Sequence, residues 1–313
     1  MRGAVPMAVA SVASHRVLHI NSYHRGYPWS DNLELGMRNG FDKGGGLIDL
    51  RHFYMDSKHD QSEEHLAQVT SKVLAEIEAW NPDLVIVSDD NACKYIAAPY
   101  LRGKPIPVIF CGVNWDAISY GFPCENVTGM LEIDPVERLK KVLRPFAAGD
   151  RIGFLCADVL STRKVIRSVQ QECGVTFADG TFATTFEEWK NAYRRMQGSV
   201  DMIFLFSHVG LTGWGDEEAE AWVLAEAKIP SGTMVEHGSP FALVGVVKVA
   251  EEQGDWAAKA ALKVLNGTPM SEIPVVRNKT ARTILNMELA RKLEIKFPME
   301  LIEHATFVGE DKR

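Results

Sequence analysis

The chain has 313 residues, of which 46% are hydrophobic and 24% charged, and its formal net charge is −7. This composition is typical of a globular protein, and the length suffices for two α/β domains with cores of their own. The acidic balance argues against a nucleic-acid surface. No apolar run approaches the roughly 18 residues that a membrane span needs.

The first 14 residues allow two interpretations. Residues 4–10 are weakly apolar and precede the small residues Val12, Ala13 and Ser14, an order that resembles a degraded or truncated signal peptide. The alternative is a disordered tail. Both interpretations place residues 1–14 outside the fold, which we expect to begin near His15.

Short apolar runs alternate with amphipathic helical segments through two successive halves of the chain. The clearest runs are Val17–Ile20, Leu84–Val87, Val108–Phe110, Ile152–Leu155 and Met202–Leu205. They are too short for helices and lack alternation, which is typical of parallel strands covered on both faces. We therefore expect an α/β fold with one such sheet in each half.

Helix and strand signals fill the intervals between these runs. Two capping boxes, Asp134 with Glu137 and Thr185 with Glu188, mark helix starts in the second half. A strand pair is expected near Val275 and Ile284. The remaining predicted strands cover residues 47–54, 126–130 and 232–235, and the predicted helices cover 30–41, 65–80, 91–100, 161–172, 185–196, 217–227, 255–265 and 287–293.

Residues that follow the strands are the candidate ligand contacts, because open α/β sheets bind ligands beyond the carboxyl ends of their strands. In the first half these candidates are Ser22, Tyr23, Trp29, Asp89, Asp90, Asn114 and Trp115. In the second half they are Asp158, Ser161, Ser207, His208 and Glu236.

The acidic candidates point to a ligand with a cationic amine. Asp89 and Asp90 lie between a buried strand and a helix, so one is expected to cap the helix and the other to hold an ammonium group. Glu236 occupies the matching place in the second half and is the second candidate anion. Trp115 and Tyr23 offer apolar faces for the rest of the ligand.

An anionic end of the ligand would need donors of its own. Helix starts near Ser30, Asn91 and Ser161 present free N–H groups, which favour a carboxylate.

Enzyme and metal signatures are lacking in the sequence. It contains no G-x-S-x-G elbow, no Walker A loop, no H-E-x-x-H and no kinase set. The five cysteines show no zinc spacing. Free buried thiols are the default, and a disulfide between Cys111 and Cys124 is the alternative if the protein is exported. We therefore expect no catalytic residue, no metal and no cofactor.

Several short motifs resemble one family through their order and spacing. They are LHINSYHRGYPWSD over residues 18–31, PVIFCGV over 107–113, NVTG over 126–129, LNGTP over 265–269 and ILNM over 284–287. Together they resemble the ABC-transporter substrate-binding family that includes the tryptophan-binding TrpX proteins. The resemblance extends from about residue 16 to about residue 300.

This resemblance implies the type I periplasmic-binding-protein fold, in which two Rossmann-like lobes joined by a three-segment hinge close on a ligand. We expect residues 15–127 and 241–270 to form the N-terminal lobe, and residues 128–240 and 271–313 to form the C-terminal lobe. The chain would cross between lobes near residues 128, 240 and 271.

The resemblance also implies a function without chemistry. We expect an extracytoplasmic, periplasmic, lipid-anchored or secreted solute-binding protein of an ABC importer, with a small amino-acid-like ligand and an ABC permease as partner. A ligand-sensing module with a membrane sensor partner is the alternative, and an enzyme is less favoured. The ligand itself does not carry over, because Asp89, Asp90 and Asn91 stand where relatives often have small Thr, Ser or Pro residues.

Overall fold

The computed structural model describes residues 14–45 and 47–309. Its strands are β1 (His15–Asn21), β2 (Ile48–Tyr54), β3 (Leu84–Ser88), β4 (Val108–Asn114), β5 (Val127–Glu132), β6 (Ile152–Ala157), β7 (Phe177–Ala183), β8 (Met202–Leu205), β9 (Ser231–Thr233), β10 (Val244–Lys248), β11 (Val276–Arg277), β12 (Ala281–Asn286) and β13 (Ala305–Val308). Its α-helices are α1 (Pro28–Gly44), α2 (Glu63–Trp80), α3 (Asp89–Ala92), α4 (Val136–Leu143), α5 (Leu160–Glu172), α6 (Phe186–Ser199), α7 (Asp216–Glu226), α8 (Ala250–Leu265), α9 (Met287–Lys292) and α10 (Met299–Ile302). A π-helical segment, Cys93–Leu101, follows α3.

None of the described helices is both long enough and apolar enough to span a membrane.

The chain divides into two compact units. Unit 1 takes the residues up to Glu132 and the segment Ala250–Asn278, and unit 2 takes Ile133–Val249 and the residues from Lys279 onward. The chain thus passes between the units three times, after Glu132, Val249 and Asn278, which lie about four to nine residues beyond the positions expected from the sequence. Residues 1–13, which hold nearly all of the possible signal remnant, lie outside the described part.

The sheet of unit 1 is parallel throughout, in the order β11-β5-β4-β3-β1-β2. Successive residues of β3 alternate between two apolar cores, because Val85 and Val87 pack into one and Leu84 and Ile86 into the other. Both faces of the sheet are therefore covered, which explains the continuous apolar runs in the sequence.

Helices α1 and α8 pack on one face of this sheet at very short range. A Cβ atom added at Gly36 would lie 2.6 Å from the Cα atom of Glu251, and one added at Gly254 would lie 2.6 Å from the backbone nitrogen of Met37. Only glycine fits at such a backbone-to-backbone contact. The two glycines thus set the distance between the helices.

The sheet of unit 2 has the order β13-β12-β10-β9-β8-β6-β7. Strand β12 runs antiparallel to β10, while the other pairs are parallel. The predicted strand pair near Val275 and Ile284 is wrong, because β11 pairs with β5 in unit 1 whereas β12 pairs with β10 in unit 2. Edge strand β7 escaped prediction since its half-exposed residues, among them Asp179 and Gly180, lack an apolar run.

One of the two predicted capping boxes has its N-cap hydrogen bond. The Thr185 hydroxyl accepts a hydrogen bond from the backbone N–H of Glu188 at 3.2 Å and caps α6. The Glu188 carboxylate accepts from the backbone N–H of Thr184 at 2.8 Å, one residue before the N-cap. Asp134 does not cap α4, which begins at Val136 without a side-chain cap. Its carboxylate instead forms an ion pair with Lys248 at 2.7 Å. Asp134 thus pairs with Lys248, which is distant in the chain, and not with the N–H groups at the start of α4.

All five cysteines are free. Cys111 is buried in the middle of β4, and Cys124 is half-buried with its Sγ 3.5 Å from the Oδ1 atom of Asn126. The structure thus contains no bond between Cys111 and Cys124, and the default expectation of free thiols holds for the described residues.

Replacement of Gly254 by Ala is expected to destabilise the protein by about 1–3 kcal/mol, because the added methyl group overlaps the backbone of α1. Urea unfolding followed by circular dichroism measures the change. Gly198→Ala in α6 is the matched control, since nothing lies within 4 Å of a Cβ atom there. The control is expected to be neutral or stabilising by up to about 1 kcal/mol. Equal effects of the two substitutions would contradict the packing argument.

Candidate ligand-binding site

The carboxyl ends of β1, β3 and β4 lie side by side in unit 1, since these strands are parallel neighbours. The predicted contacts of the first half therefore fall at one edge of the sheet: Ser22, Tyr23, Trp29, Asp89, Asp90, Asn114 and Trp115. The structure distinguishes among them by burial and by hydrogen-bond partners.

Asp89 is the group whose polar atoms are least satisfied. Its side chain is only 2% exposed, and its backbone has the left-handed φ of 68°. The Oδ1 atom accepts a hydrogen bond from Trp29 Nε1 at 2.9 Å. The Oδ2 atom is buried and has no hydrogen-bond partner among the described residues. A buried carboxylate oxygen without a donor is costly, by about 1–3 kcal/mol or more.

Other carboxylates add to this cost. Burial raises the pKa of Asp89 well above its ordinary value, and the negative charges of Glu132 and Asp90 raise it further. Hydrogen bonds from Trp29 and Ser88 act in the opposite direction without reversing the shift. Glu132 is the last residue of β5 and is 7% exposed. The edge of the sheet is therefore a buried acidic environment that favours a cation.

Trp115 brings an unpaired donor to the same edge. Its side chain is 5% exposed, and Nε1 is buried without an acceptor among residues 14–45 and 47–309. Its backbone N–H donates to the carbonyl oxygen of Glu132 at 3.0 Å. Its φ of 60° is a left-handed value that is unusual for a bulky residue. Strained backbone of this kind clusters at functional sites.

Tyr23 lines the acidic region. Burial raises the pKa of its phenol, and the charges of Asp89 and Glu132 raise it further. The ring of Tyr23 lies edge-on to Tyr27 at 5.1 Å, and the Lys58 ammonium lies 4.8 Å from its centroid. The tyrosine stays neutral, and its face already attracts a cationic group.

Asp90 and Ser22 are held by neighbouring groups. The Asp90 carboxylate accepts hydrogen bonds from Asn114 Nδ2 and from the Tyr120 hydroxyl, both at 2.7 Å. The fully buried Ser22 hydroxyl donates to the Ser88 carbonyl oxygen at 2.6 Å and accepts from the Ala92 N–H at 2.8 Å. These contacts position the loops after β1, β3 and β4.

Neither acidic residue caps the helix as expected. Helix α3 begins at Asp89, Ser88 is its N-cap residue, and no side chain forms a cap hydrogen bond. The predicted cap is thus wrong, and so is the helix start near Asn91, which lies inside α3. Asp89 and Asp90 occupy the first turn instead, where the helix dipole favours a negative charge.

In unit 2, His208 is surrounded by rings. It stacks on Trp214 at 4.2 Å and meets His237 edge-on at 5.1 Å. Burial, with a smaller contribution from His237, lowers the pKa of His208 to about 4, so the imidazole is neutral near neutral pH. Ser207 Oγ lies 3.1 Å from His237 Nε2. The cluster offers aromatic faces and neutral polar atoms.

The charged candidates of unit 2 already have partners. Glu236 is exposed and forms an ion pair with Arg282 of β12. Asp158 accepts two hydrogen bonds from Arg163, at 2.5 and 2.8 Å, and this pairing lowers the pKa of the Asp158 carboxyl. Ser161 is exposed inside α5, which begins one residue earlier at Leu160. An ammonium group would have to compete with these arginines.

Sequence reasoning missed three polar residues. Glu132 is the last residue of β5, so the strand-end rule would have found it had the predicted strand been extended to its true end. Tyr120 ends a short 3₁₀ segment, Ile118–Tyr120, for which the sequence gives no signal. Ser239, whose buried hydroxyl has no partner among the described residues, lies in a 3₁₀ segment of unit 2, Glu236–Phe241.

A family model described as ABC transporter substrate binding protein matches residues 31–308. The chain belongs to this substrate-binding protein family. The resemblance inferred from the sequence motifs is thereby confirmed at the level of the family. A comparison with curated proteins gives no significant match.

Solved structures show the fold of this substrate-binding protein. A ligand-free, open structure of a substrate-binding protein with adhesive properties from Clostridium difficile has a TM-score of 0.73 at 17% identity, over 94% of this chain and 99% of that chain. An ABC domain from Streptococcus pneumonia in complex with L-Trp has a TM-score of 0.61 at 20% identity, over 95% and 100%. A periplasmic ribose ABC transporter protein from Conexibacter woesei has a TM-score of 0.54 at 17% identity, over 93% and 98%. The predicted α/β, periplasmic-binding-protein-like I fold is confirmed.

The family also bears on catalysis. Substrate-binding proteins bind and release their ligands unchanged, which supports the expectation that this one is not an enzyme. The polar atoms at the strand ends of unit 1 are therefore best analysed as ligand contacts.

Replacement of Asp89 by Asn is expected to stabilise the ligand-free substrate-binding protein relative to the wild type. This stabilisation should grow as the pH rises. The raised pKa means that the folded chain keeps the Asp89 proton to a higher pH than the unfolded chain does. Wild-type stability therefore falls by about 1.4 kcal/mol per pH unit between the ordinary Asp pKa of 3.8 and the raised pKa of Asp89. Asn cannot ionise, so the difference between variant and wild type grows over that interval and then stays constant.

Urea unfolding across this pH range measures the difference. Asp42→Asn, which removes an exposed carboxylate of α1, is measured alongside as the control. A pH-independent difference for Asp89→Asn would contradict the assignment of a raised pKa.

Proposed function

We propose that this substrate-binding protein captures a small, amine-bearing, amino-acid-like solute outside the cytoplasm and delivers it to an ABC permease. One observation carries the proposal: the Asp89 carboxylate is buried beside Glu132, and its Oδ2 atom has no partner among the described residues. Such a group destabilises the protein until a cation or a donor reaches it. A ligand ammonium group is both.

Trp115 extends this proposal to the other end of the ligand. Its buried Nε1–H needs an acceptor, and its backbone is hydrogen-bonded to Glu132, the same residue whose charge acts on Asp89. A zwitterionic amino acid carries a donor for Asp89 and a carboxylate oxygen for Trp115. Tyr23 and the Trp115 ring would cover its apolar part.

The charge of the site argues against a purely anionic ligand. Asp89, Asp90 and Glu132 act together on the pKa of Tyr23, so they lie within electrostatic reach of one another. An anion would meet repulsion from the carboxylates and leave the Asp89 oxygen unpaired. The L-Trp bound to the Streptococcus pneumonia protein agrees with the proposed class of ligand.

Four parts of the proposal rest on the family and on the sequence. Delivery to a permease and an extracytoplasmic location follow the usual role of the family. Contributions of Ser207 and His208 from unit 2, and hinge closure over the ligand, stay predictions. A sensing module that binds the same ligand is the alternative, and vesicle transport with the cognate permease would separate the two.

The affinity for a cationic amine is expected to rise with pH. Below the raised pKa of Asp89 the free protein holds a proton there, and an ammonium ligand must displace it. Affinity then increases by up to about tenfold per pH unit until the pH passes that pKa. Calorimetry in two buffers of different ionisation enthalpy should detect release of about one proton per ligand at the lower pH. Affinity that stays constant from about pH 5 to about pH 8 would contradict ammonium binding at Asp89.

The binding residues are tested with the native ligand. It is released from purified protein, identified by mass spectrometry, and titrated by calorimetry together with a panel of amino acids and polyamines. Asp89→Asn should weaken binding by about 10- to 100-fold, since it removes a charged hydrogen-bond acceptor. Trp115→Phe should weaken it by about tenfold through loss of the N–H donor.

Two matched variants serve as controls. Asp42→Asn changes an exposed carboxylate of α1, and Trp222→Phe changes a ring of unit 2 that packs on Trp189. Both should keep wild-type affinity. A native ligand that is purely anionic, or unchanged affinity in both site variants, would overturn the proposal.

A further inference from the structure

We propose that His19, His52 and Glu34 of unit 1 bind a divalent first-row transition ion, with Zn²⁺ as the reference ion. The site would lie between β1, β2 and α1, apart from the ligand contacts proposed above. The argument rests on the spacing of three ligand atoms, on their supporting hydrogen bonds and on the chemistry of the donor set.

The strand pairing brings the two imidazoles together. His19 of β1 is the register partner of His52 of β2, so both side chains lie on the same face of the sheet. Their Nδ1 atoms are 2.9 Å apart, and His52 Nδ1 is 3.7 Å from Glu34 Oε1. Tetrahedral zinc with bonds of about 2.0–2.1 Å has ligand atoms about 3.3 Å apart. The two observed distances bracket that value.

Each ligand residue has a supporting partner. The Nε2 atom of His19 is 3.0 Å from Ser88 Oγ. Glu34 accepts hydrogen bonds from Tyr54 OH at Oε2, at 2.9 Å, and from Asn21 Nδ2 at Oε1, at 3.3 Å. Metal-bound histidines and carboxylates are commonly oriented by outer contacts of this kind.

The tautomer of His19 suits metal binding. The Nε2 atom of His19 lies 3.0 Å from Ser88 Oγ. A hydrogen bond donated by Nε2–H to this hydroxyl leaves a lone pair on His19 Nδ1. That lone pair faces His52 Nδ1.

The donor set and the surroundings favour one class of ion. Two imidazoles and one carboxylate form a known zinc ligand set, and a water molecule can complete it. His19 and Glu34 are 0% and 3% exposed, while the His52 side chain is 16% exposed and gives a route from solvent. Arg38 lies 3.8 Å from Glu34 Oε2 and Arg25 contacts Tyr54. The Arg38 contact is made with Oε2 of Glu34, whereas Oε1 is the atom assigned to the metal.

A second histidine–carboxylate group supplies the control. His24, Asp56 and His59 also meet the distance requirement, but their group is more exposed, with the His59 side chain 66% exposed. The rings of His24 and His59 stack at 4.0 Å. If adventitious surface binding explains any metal uptake, this group should account for it.

The test uses the untagged full chain after treatment with a chelator. Zn²⁺ is titrated in competition with a chromophoric chelator, and Co²⁺ absorption reports the coordination number. We expect one Zn²⁺ per chain and the intense visible bands of four-coordinate Co²⁺. His52→Ala and Glu34→Gln should each weaken binding by more than 100-fold, and Tyr54→Phe by about tenfold. His59→Ala should leave affinity and spectrum unchanged.

Circular dichroism checks that each variant is folded, and Glu34→Gln keeps the test valid if His52→Ala does not fold. Failure of the wild-type chain to retain Zn²⁺ would overturn the proposal and leave a plain N–H···N hydrogen bond between the histidines. Loss of binding in His59→Ala with retention in Glu34→Gln would also overturn it. Neither result bears on binding of the amine ligand at Asp89.

Discussion

The buried Asp89 carboxylate is the constraint on which the functional edge of unit 1 depends. It lies in a left-handed backbone conformation, next to Glu132, with one oxygen bonded to Trp29 and the other unpaired among the described residues. Trp115 repeats the pattern with a left-handed backbone and an unpaired donor. Costs of this kind persist only where the surrounding structure fixes the local geometry. Their occurrence together supports the proposal of a ligand-binding site at this edge.

Helix α8 supplies much of that fixation. Its residue Gln253 is 1% exposed, and its side chain accepts from the Gly112 N–H at 2.9 Å and donates to the Leu131 carbonyl oxygen at 3.3 Å. Gln253 thus joins the ends of β4 and β5 beside Trp115 and Glu132. The next residue, Gly254, sets the close contact with α1, the helix that carries Trp29. Helices α1 and α8 together therefore position Trp29, Trp115 and Glu132 around Asp89.

The sequence predicted which residues lie at this edge of the sheet, because parallel strands and the residues that follow them are recognised from local patterns alone. It could not decide which polar groups would remain unsatisfied. Asp89 and Asp90 are indistinguishable locally, yet Asn114 and Tyr120 satisfy only Asp90. Glu236 had the same local signal but meets Arg282, which arrives from the far end of the chain.

The same limit applies to caps and to metal ligands. The local pattern around Asp134 is a capping box, but Lys248 of β10 takes its carboxylate, and no short-range rule contains that information. His19, Glu34 and His52 are far apart in sequence, so the search for metal-ligand spacing could not find them. Their proximity depends on the register between β1 and β2 and on the packing of α1. Contacts between residues of different helices and strands cannot be predicted from the local patterns of a single sequence.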